Sequence, residues 1–279
     1  MAQGDGVGAL AAYRKDLAIS EALAARDPAN TNWQRDLSII YERIANVMVA
    51  QGDGVGALTV YRGSLGISEA LAARDPANNE WQHDLSIGHE KIGDVLMAQD
   101  DRAGALTAYR KDLAISEALV ARDAANTGWQ RDLSVSYGKI GDVLVAQGDG
   151  AGALVVYGKS LGIREVLAAR DPANTGWQHD LSVSYEKIGN VLVAQGDGAG
   201  ALAAYRKDLG IREALTARDP ANTDWQRDLI VSLVKVGTTT GEKVYTSRAL
   251  DIALGMQQHG TLAPRDAGMI ESLKKLAGR

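Results

Sequence analysis

Four histidines, two glycine–aspartate runs and a charged helix face that recurs along the chain are the residues here that could do chemistry. His83, His89, His179 and His259 would be the first choices for a metal ligand or a general base. His83 and His179 sit in identical "WQHD" contexts 96 residues apart, too far to share a metal. His89 stands where related stretches carry Tyr41, Tyr137 and Tyr185, which points to packing. The runs "GDGVGA" at 4–9 and 52–57 have the glycine density of a phosphate-binding loop. A dinucleotide fingerprint needs a preceding strand, however, and these runs lie between helical patterns. No GxxxxGK[ST], HExxH or Ca²⁺-loop pattern occurs, and no nucleophile–base–orienter set can be assembled. The sequence therefore predicts no catalytic residue, no metal site and no cofactor: not an enzyme.

Composition narrows the remaining classes. The 279 residues are 46% apolar, enough for a core or a long stacked array, and contain no cysteine. Disulfides, thiolate sites and a cysteine nucleophile are thereby excluded. Acids and bases interleave to a net charge of −5, which predicts neither a nucleic-acid nor a membrane partner. The start, "MAQGDGVGALAAYRKD", has no apolar h-region, and no run reaches the ~18 apolar residues of a membrane span, so a cytoplasmic location is expected.

The elements that must position the charged face follow from a repeat. Trp33, Trp81, Trp129, Trp177 and Trp225 are 48 residues apart and mark five copies, at 2–49, 50–97, 98–145, 146–193 and 194–241. A fixed period of this size signals a stack in which each unit buries its apolar face on its neighbours. One helix runs from Trp33 to Ala50, with Trp33, Leu37, Tyr41, Ile44 and Met48 as its buried stripe. Thr31 with Gln34 reads as a capping box, repeated as Thr127/Gln130, Thr175/Gln178 and Thr223/Gln226. Asp27-Pro28 stops the helix before it. Gly52 suits a left-handed C′ position, and Asp53 suits an N-cap for the second helix, Val55–Arg74. Asp100 replaces that glycine in the third copy, which predicts a costlier turn.

Tyr137-x-x-Ile140-Gly141-x-x-Leu144, followed by Ala153 and Tyr157, resembles the tetratricopeptide repeat (TPR), and Ile92-Gly93 with Ala105 and Tyr109 and Ile188-Gly189 with Ala201 and Tyr205 repeat it in register. The small Gly141 against Ala153 is expected to let the helices approach closely. The second helix continues through "LGIREVLAARDPAN", which is similar to the longer kinesin-light-chain-type repeats and their bacterial relatives. The resemblance spans about 1–241 and implies an all-α, right-handed α-solenoid of antiparallel helix pairs that binds a protein or peptide and catalyses nothing. Residues 242–279 diverge and are expected to supply C-terminal helices that close the stack, with Met269, Ile270, Leu273 and Leu276 on one face.

Turning 100° per residue away from the buried stripe assigns ligand contact to a set of ladders, and the resemblance places them in the concave groove. One is Arg35, His83, Arg131 and His179; another is Ile39, Ile87, Val135 and Val183. The third is Asn46, Asp94, Asp142 and Asn190, flanked by Arg43, Lys91, Lys139 and Lys187. Glu42, Glu90 and Glu186 intrude where the family's carboxylate-holding grooves want a cation, so a C-terminal carboxylate is not the expected ligand. The histidine steps should make binding pH-sensitive. Asp16, Asp112 and Asp208 are expected to pair with Arg43, Lys139 and Lys235. The chain opens on the turn "AQGDG" and a second helix, Val7–Arg26, which leaves Ala9 and Tyr13 uncovered. That end is expected to form a homodimer or to mark a fragment of a larger multidomain signalling protein, and a self-associating assembly module is the alternative to a scaffold.

Overall fold

The structure, a computed structural model, describes residues 3–278. Among them are twelve α-helices and one 3-10 turn, and no strand. The chain divides into two compact units, Met1–Gln147 and Gly148–Arg279. The first holds α1 (Gln3–Arg26), α2 (Thr31–Ala50), α3 (Gly54–Arg74), α4 (Asn79–Ala98), α5 (Arg102–Arg122) and α6 (Thr127–Ala146). The second holds α7 (Gly150–Arg170), α8 (Thr175–Ala194), α9 (Gly198–Arg218), α10 (Thr223–Thr240), α11 (Lys243–Gln258), the 3-10 turn Pro264–Asp266 and α12 (Met269–Ala277). Within each unit, consecutive helices pack on one another through short antiparallel connections.

The turns show why the chain repeats "QGDG". Gly52, Gly148 and Gly196 take φ of 83°, 83° and 81°, the left-handed region that a Cβ disfavours. Asp100 is forced into the same region at φ 61°. The aspartate that follows caps the next helix: Asp53, Asp101, Asp149 and Asp197 accept from the backbone N–H of Gly56, Gly104, Gly152 and Gly200. A Cβ on Gly56 would lie 2.3 Å from the Asp53 carboxylate, so the glycine at this place is there for the cap.

The other cap lies one residue earlier than the Thr-x-x-Gln pattern suggested. Asn30, Asn78, Asn126, Asn174 and Asn222 are the N-caps, and each side chain accepts from the tryptophan N–H three residues on. Thr31 is already helical, and Gln34 instead donates to the Ala24 carbonyl at 3.3 Å, tying α2 to the end of α1. The outer edge is fastened between repeats. Arg74 donates to the Ala29 carbonyl at 2.8 Å, and Arg218 donates to the Ala173 carbonyl at 3.0 Å.

The small residue on the first helix makes room for a neighbour, and two further expectations are corrected. The glycine on the first helix accommodates a tyrosine ring, because a Cβ on Gly93 or Gly189 would meet Tyr109 or Tyr205 at 2.5 or 2.4 Å. The tryptophans are half-buried at the helix starts, while Leu37, Leu133, Leu181 and Leu229 form the core beside them. Residues 3–6 belong to α1, Gln3–Arg26, in place of the expected turn. In the second unit, Leu233, Val236, Ala249, Leu250, Ile270 and Leu273 form one cluster. Ala277 completes the buried face of α12, and Leu276 points outward at 41% exposure.

Candidate partner-binding face

The ladders lie on one side of α2, α4 and α6 in the first unit and of α8 and α10 in the second, and the structure gives most of their polar members a partner inside the array. Arg35 Nε lies 2.6 Å from Asp84, and its Nη1 lies 2.8 Å from Glu80. His83 Nε2 is 2.9 Å from Asp132, and His179 Nδ1 is 3.5 Å from Asp228. The aspartate approached is in every case that of the next "WQxD", 49 residues on, so this ladder joins adjacent repeats. Hydrogen bonding to Asp132 raises the His83 pKa against the opposing effect of burial. Arg131 is exposed at the equivalent place.

The Asx ladder is bonded in the same way. The Tyr61 hydroxyl donates to Asn46 at 2.6 Å, Tyr109 donates to Asp94 at 2.6 Å, and Tyr205 donates to Asn190 at 2.8 Å. A lysine from the following repeat adds a second bond, Lys139 to Asp94 and Lys235 to Asn190, both at 2.6 Å. Burial and the Asp94 carboxylate both hold the Tyr109 hydroxyl in its protonated form; burial is the main cause for Tyr61, pushed up to about 12. Lys187 lies over the Tyr157 ring at 5.7 Å, and Lys235 lies over Tyr205 at 5.4 Å, within cation–π range. Asp142 is half-buried and Asn190 exposed.

Ile39, Ile87, Val135 and Val183 are all half-buried, so each shares its surface between neighbouring helices and solvent. Beside this ladder the face opens into clefts. One of about 530 Å³ is lined by Asn46, Val49, Tyr61, Lys91, Asp94 and Val95, among others. Its counterpart in the second unit, about 410 Å³, is lined by Val193, Tyr205, Lys235, Thr238 and Thr239. Arg43 is exposed and lines a smaller cavity with Asp16 and Asp36.

The expected Asp112–Lys139 and Asp208–Lys235 pairs do not form. Asp112 is buried and accepts from the hydroxyls of Ser86 and Ser116. Asp208 is fully buried and pairs with Arg212 Nε at 2.6 Å. Both lysines instead reach the Asx ladder on the face. Sequence reasoning missed Arg212, whose "GIREA" setting reads as surface charge, and the Asp84/Asp132/Asp228 ladder. The constant offset of 49 residues between cation and aspartate was the signal that could have found the latter.

Burial also decides the state of His89. It is 6% exposed, and desolvation with Lys111 nearby holds its pKa down to about 4, so it is neutral at physiological pH. Among the described residues no group of three or more His, Asp or Glu side chains could hold a metal ion. Among the same residues no helix is long and apolar enough to cross a membrane.

No family model matches the sequence, and no curated protein matches it. Solved structures do match. BtubC (BKLC) from P. vanneervenii is similar with a TM-score of 0.67 over 90% of this chain and 92% of that one, at 17% identity. The apo form of RapI gives 0.61 over 95% of this chain and 70% of its own, at 12% identity. A variant of a Podosopora anserina putative kinesin light chain, described as nearly identical TPR-like repeats, gives 0.52 over 78% of this chain and 95% of its own, at 14% identity. At these identities the likeness shows the fold, and that fold is the TPR-like stack of helix pairs.

Proposed function

We propose that the array is a protein-interaction scaffold that grips an extended segment of a partner protein on the ladder-bearing face of each unit, that of α2, α4 and α6 in the first and that of α8 and α10 in the second. One observation carries this reading: a cleft with the same lining types recurs in both units, each bordered by a half-exposed valine, a tyrosine and a lysine. Half-buried branched side chains share this face, Ile39, Ile87 and Val135 in the first unit and Val183 in the second, and such a surface suits alternate side chains of an extended chain. The inter-repeat bonds of Arg35, His83, Lys139 and Lys235 then act as a frame that holds the face in shape, and the clefts do the gripping. No catalytic role follows from this arrangement.

The test is quantitative capture of partners by the full chain and by the triple variant Val49→Ser, Lys91→Ala, Val193→Ser. Val49 and Val193 are 45% and 49% exposed, so these changes should leave helicity and melting in place. The partners retained by the wild-type chain should be lost from the variant. Equal recovery of the same proteins by both would sink the groove assignment.

Self-association is the second reading, and α1 favours it. Ala9 and Tyr13 are only half-buried, whereas Ala57 and Tyr61 at the same places one repeat on are 0% and 3% exposed. Light scattering across a concentration range separates the readings. A mass that grows with concentration and reverts on Tyr13→Glu would favour assembly through α1.

A further inference from the structure

Arg212 gathers three carboxylates. Its Nε is 2.6 Å from Asp208, Nη1 is 2.7 Å from Asp228, and Nη2 is 2.9 Å from Glu186. Two repeats earlier the chain writes the same surroundings again: Glu90 for Glu186, Asp112 for Asp208 and Asp132 for Asp228. Ser136 matches Ser232, and His83 on Asp132 matches His179 on Asp228. The one change at the centre is Ser116, which stands where Arg212 stands. Asp94 also replaces Asn190, so the third-repeat set has one more acid and one fewer cation than the fifth.

Burial raises the cost of ionising Asp112, and the Asp132 carboxylate adds to it; burial does the same at Glu90, where Asp112 is among the carboxylates that add to it. Asp112 is 3% exposed; Ser86 and Ser116 donate to its Oδ1, while Oδ2 has no hydrogen-bond partner. Lys139 bonds Asp94 at 2.6 Å and pairs with Glu90 at the longer distance of 4.0 Å. The Glu90 side chain is 24% exposed. The Asp132 side chain is 42% exposed, against 28% for Asp228, whose carboxylate Arg212 partly covers. The fifth-repeat copies of these carboxylates are spaced around a planar, three-sided donor.

We propose that Glu90, Asp112, Asp132 and Ser116 form a socket for the guanidinium of an arginine on a partner polypeptide, which would do from outside what Arg212 does within the chain. Entry is from the groove side between Glu90 and Asp132, and the buried Asp112 supplies the inner acceptor. A guanidinium fits where an ammonium does not, because its fixed fork can donate to three acceptors at once. The first repeat has the same Asp–Ser–Asp set, Asp16, Ser20 and Asp36, around a cavity of about 330 Å³. The socket deepens the scaffold reading, on which it rests, by naming one side chain of the bound segment.

The experiment titrates N-acetyl-arginine amide, and its lysine counterpart, into the full chain while amide NMR shifts around Ser86, Ser116 and Ser136 are followed. The arginine probe should give a saturable response and bind roughly ten-fold tighter than the lysine probe, the effect of about one charge-assisted hydrogen bond. Ser116→Arg, which copies the fifth repeat, should fold with a raised melting temperature and lose the response; Asp112→Asn should lose it too. If Asp112→Asn does not fold, Ser116→Arg decides alone. No saturable response, equal binding of both probes, or an unchanged response in Ser116→Arg would overturn the socket. Loss of the socket with partner capture intact would leave the scaffold reading standing, and loss of both would remove that reading as well.

Discussion

Helices α1 and α9 are written in nearly the same residues, "ALAAYRKDLAISEALAAR" and "ALAAYRKDLGIREALTAR", yet they sit in different surroundings. Tyr205 is 4% exposed and Asp208 0%, while Tyr13 is half-buried and Asp16 exposed. Ile19 is 62% exposed, and its counterpart Ile211 packs against the cluster around Leu181 and Tyr185. The cause is the flanking helices: α9 packs on both α8 and α10, and among the described residues α1 packs chiefly on α2. In a stack, burial comes from the neighbouring helices, so the same side chain is core in one repeat and surface in another.

The widest gap between the two regions should appear at the residue that differs most in surroundings. Arg212→Ala strands Asp208, Asp228 and Glu186 together and should destabilise α8–α10 by about 3–5 kcal/mol. The matching change in α1, Ser20→Ala, should stay within about 0.5 kcal/mol. Native-state hydrogen exchange is the proper measurement, because a repeat array need not unfold in one step. Equal loss of protection in α1 and α9 would contradict the comparison.

Next in size is Leu209→Ala against Leu17→Ala, the same position in the two helices. Leu209 is 7% exposed and belongs to the large C-terminal cluster, so its truncation should cost about 2–4 kcal/mol. Leu17 is half-buried, and its truncation should cost less than about 1 kcal/mol. A similar cost at both sites would mean that something covers α1 in solution, which would sharpen the case for self-association.

These contrasts also show what a single sequence conveys. The 48-residue period, the left-handed glycine turn and the aspartate caps are local, and each was readable from spacing and residue type. The asparagine cap was misplaced because "NT-x-WQ" satisfies two capping patterns one residue apart, and only backbone geometry chooses between them. The face was readable as a set of ladders, but their bonds were not. Arg35 meets Asp84, and Lys139 meets Asp94, across a repeat boundary that a helical wheel drawn for one helix does not contain. Arg212 was lost for a related reason, since two of its three carboxylate partners, Glu186 and Asp228, come from α8 and α10.

His89 and His83 differ in sign and offer a pH test of the same idea at moderate size. His89 is buried with a pKa lowered to about 4, so between about pH 6.5 and 4 the unfolded chain takes up a proton that the folded one refuses. Its contribution is therefore fully present above that window and is lost as pH falls through it. His83 is raised by Asp132, so its contribution is present at low pH and is lost as pH rises through its folded pKa. His89→Tyr restores the residue of the other repeats, where Tyr41 and Tyr137 donate to Glu21 and Glu117. It should stabilise α4 by roughly 1 kcal/mol or more at pH 5 and by less at pH 7. His83→Asn should flatten the profile in the opposite sense, with its loss largest at low pH. A profile unchanged by either substitution would remove both assignments.

The smallest expected effect concerns the one turn that departs from its copies. Asp100 holds φ 61° where Gly52, Gly148 and Gly196 hold 81–83°, and an L-residue in that region crowds its own Cβ against the backbone. Aspartate tolerates the region better than most residues, and here its carboxylate also meets Arg102 Nε at 2.8 Å. That pair is exposed on both sides and contributes little. Asp100→Gly should relieve the strain, while the added freedom of glycine in the unfolded chain takes back part of the gain. The net should be a stabilisation of about 0.5 kcal/mol, confined to α4 and α5. The reverse change, Gly148→Asp, should destabilise α6 and α7 by a similar amount. Local exchange rates in the two turns measure both. A loss of stability in Asp100→Gly would show that the Arg102 contact outweighs the left-handed backbone, and that the third turn is held by its side chains.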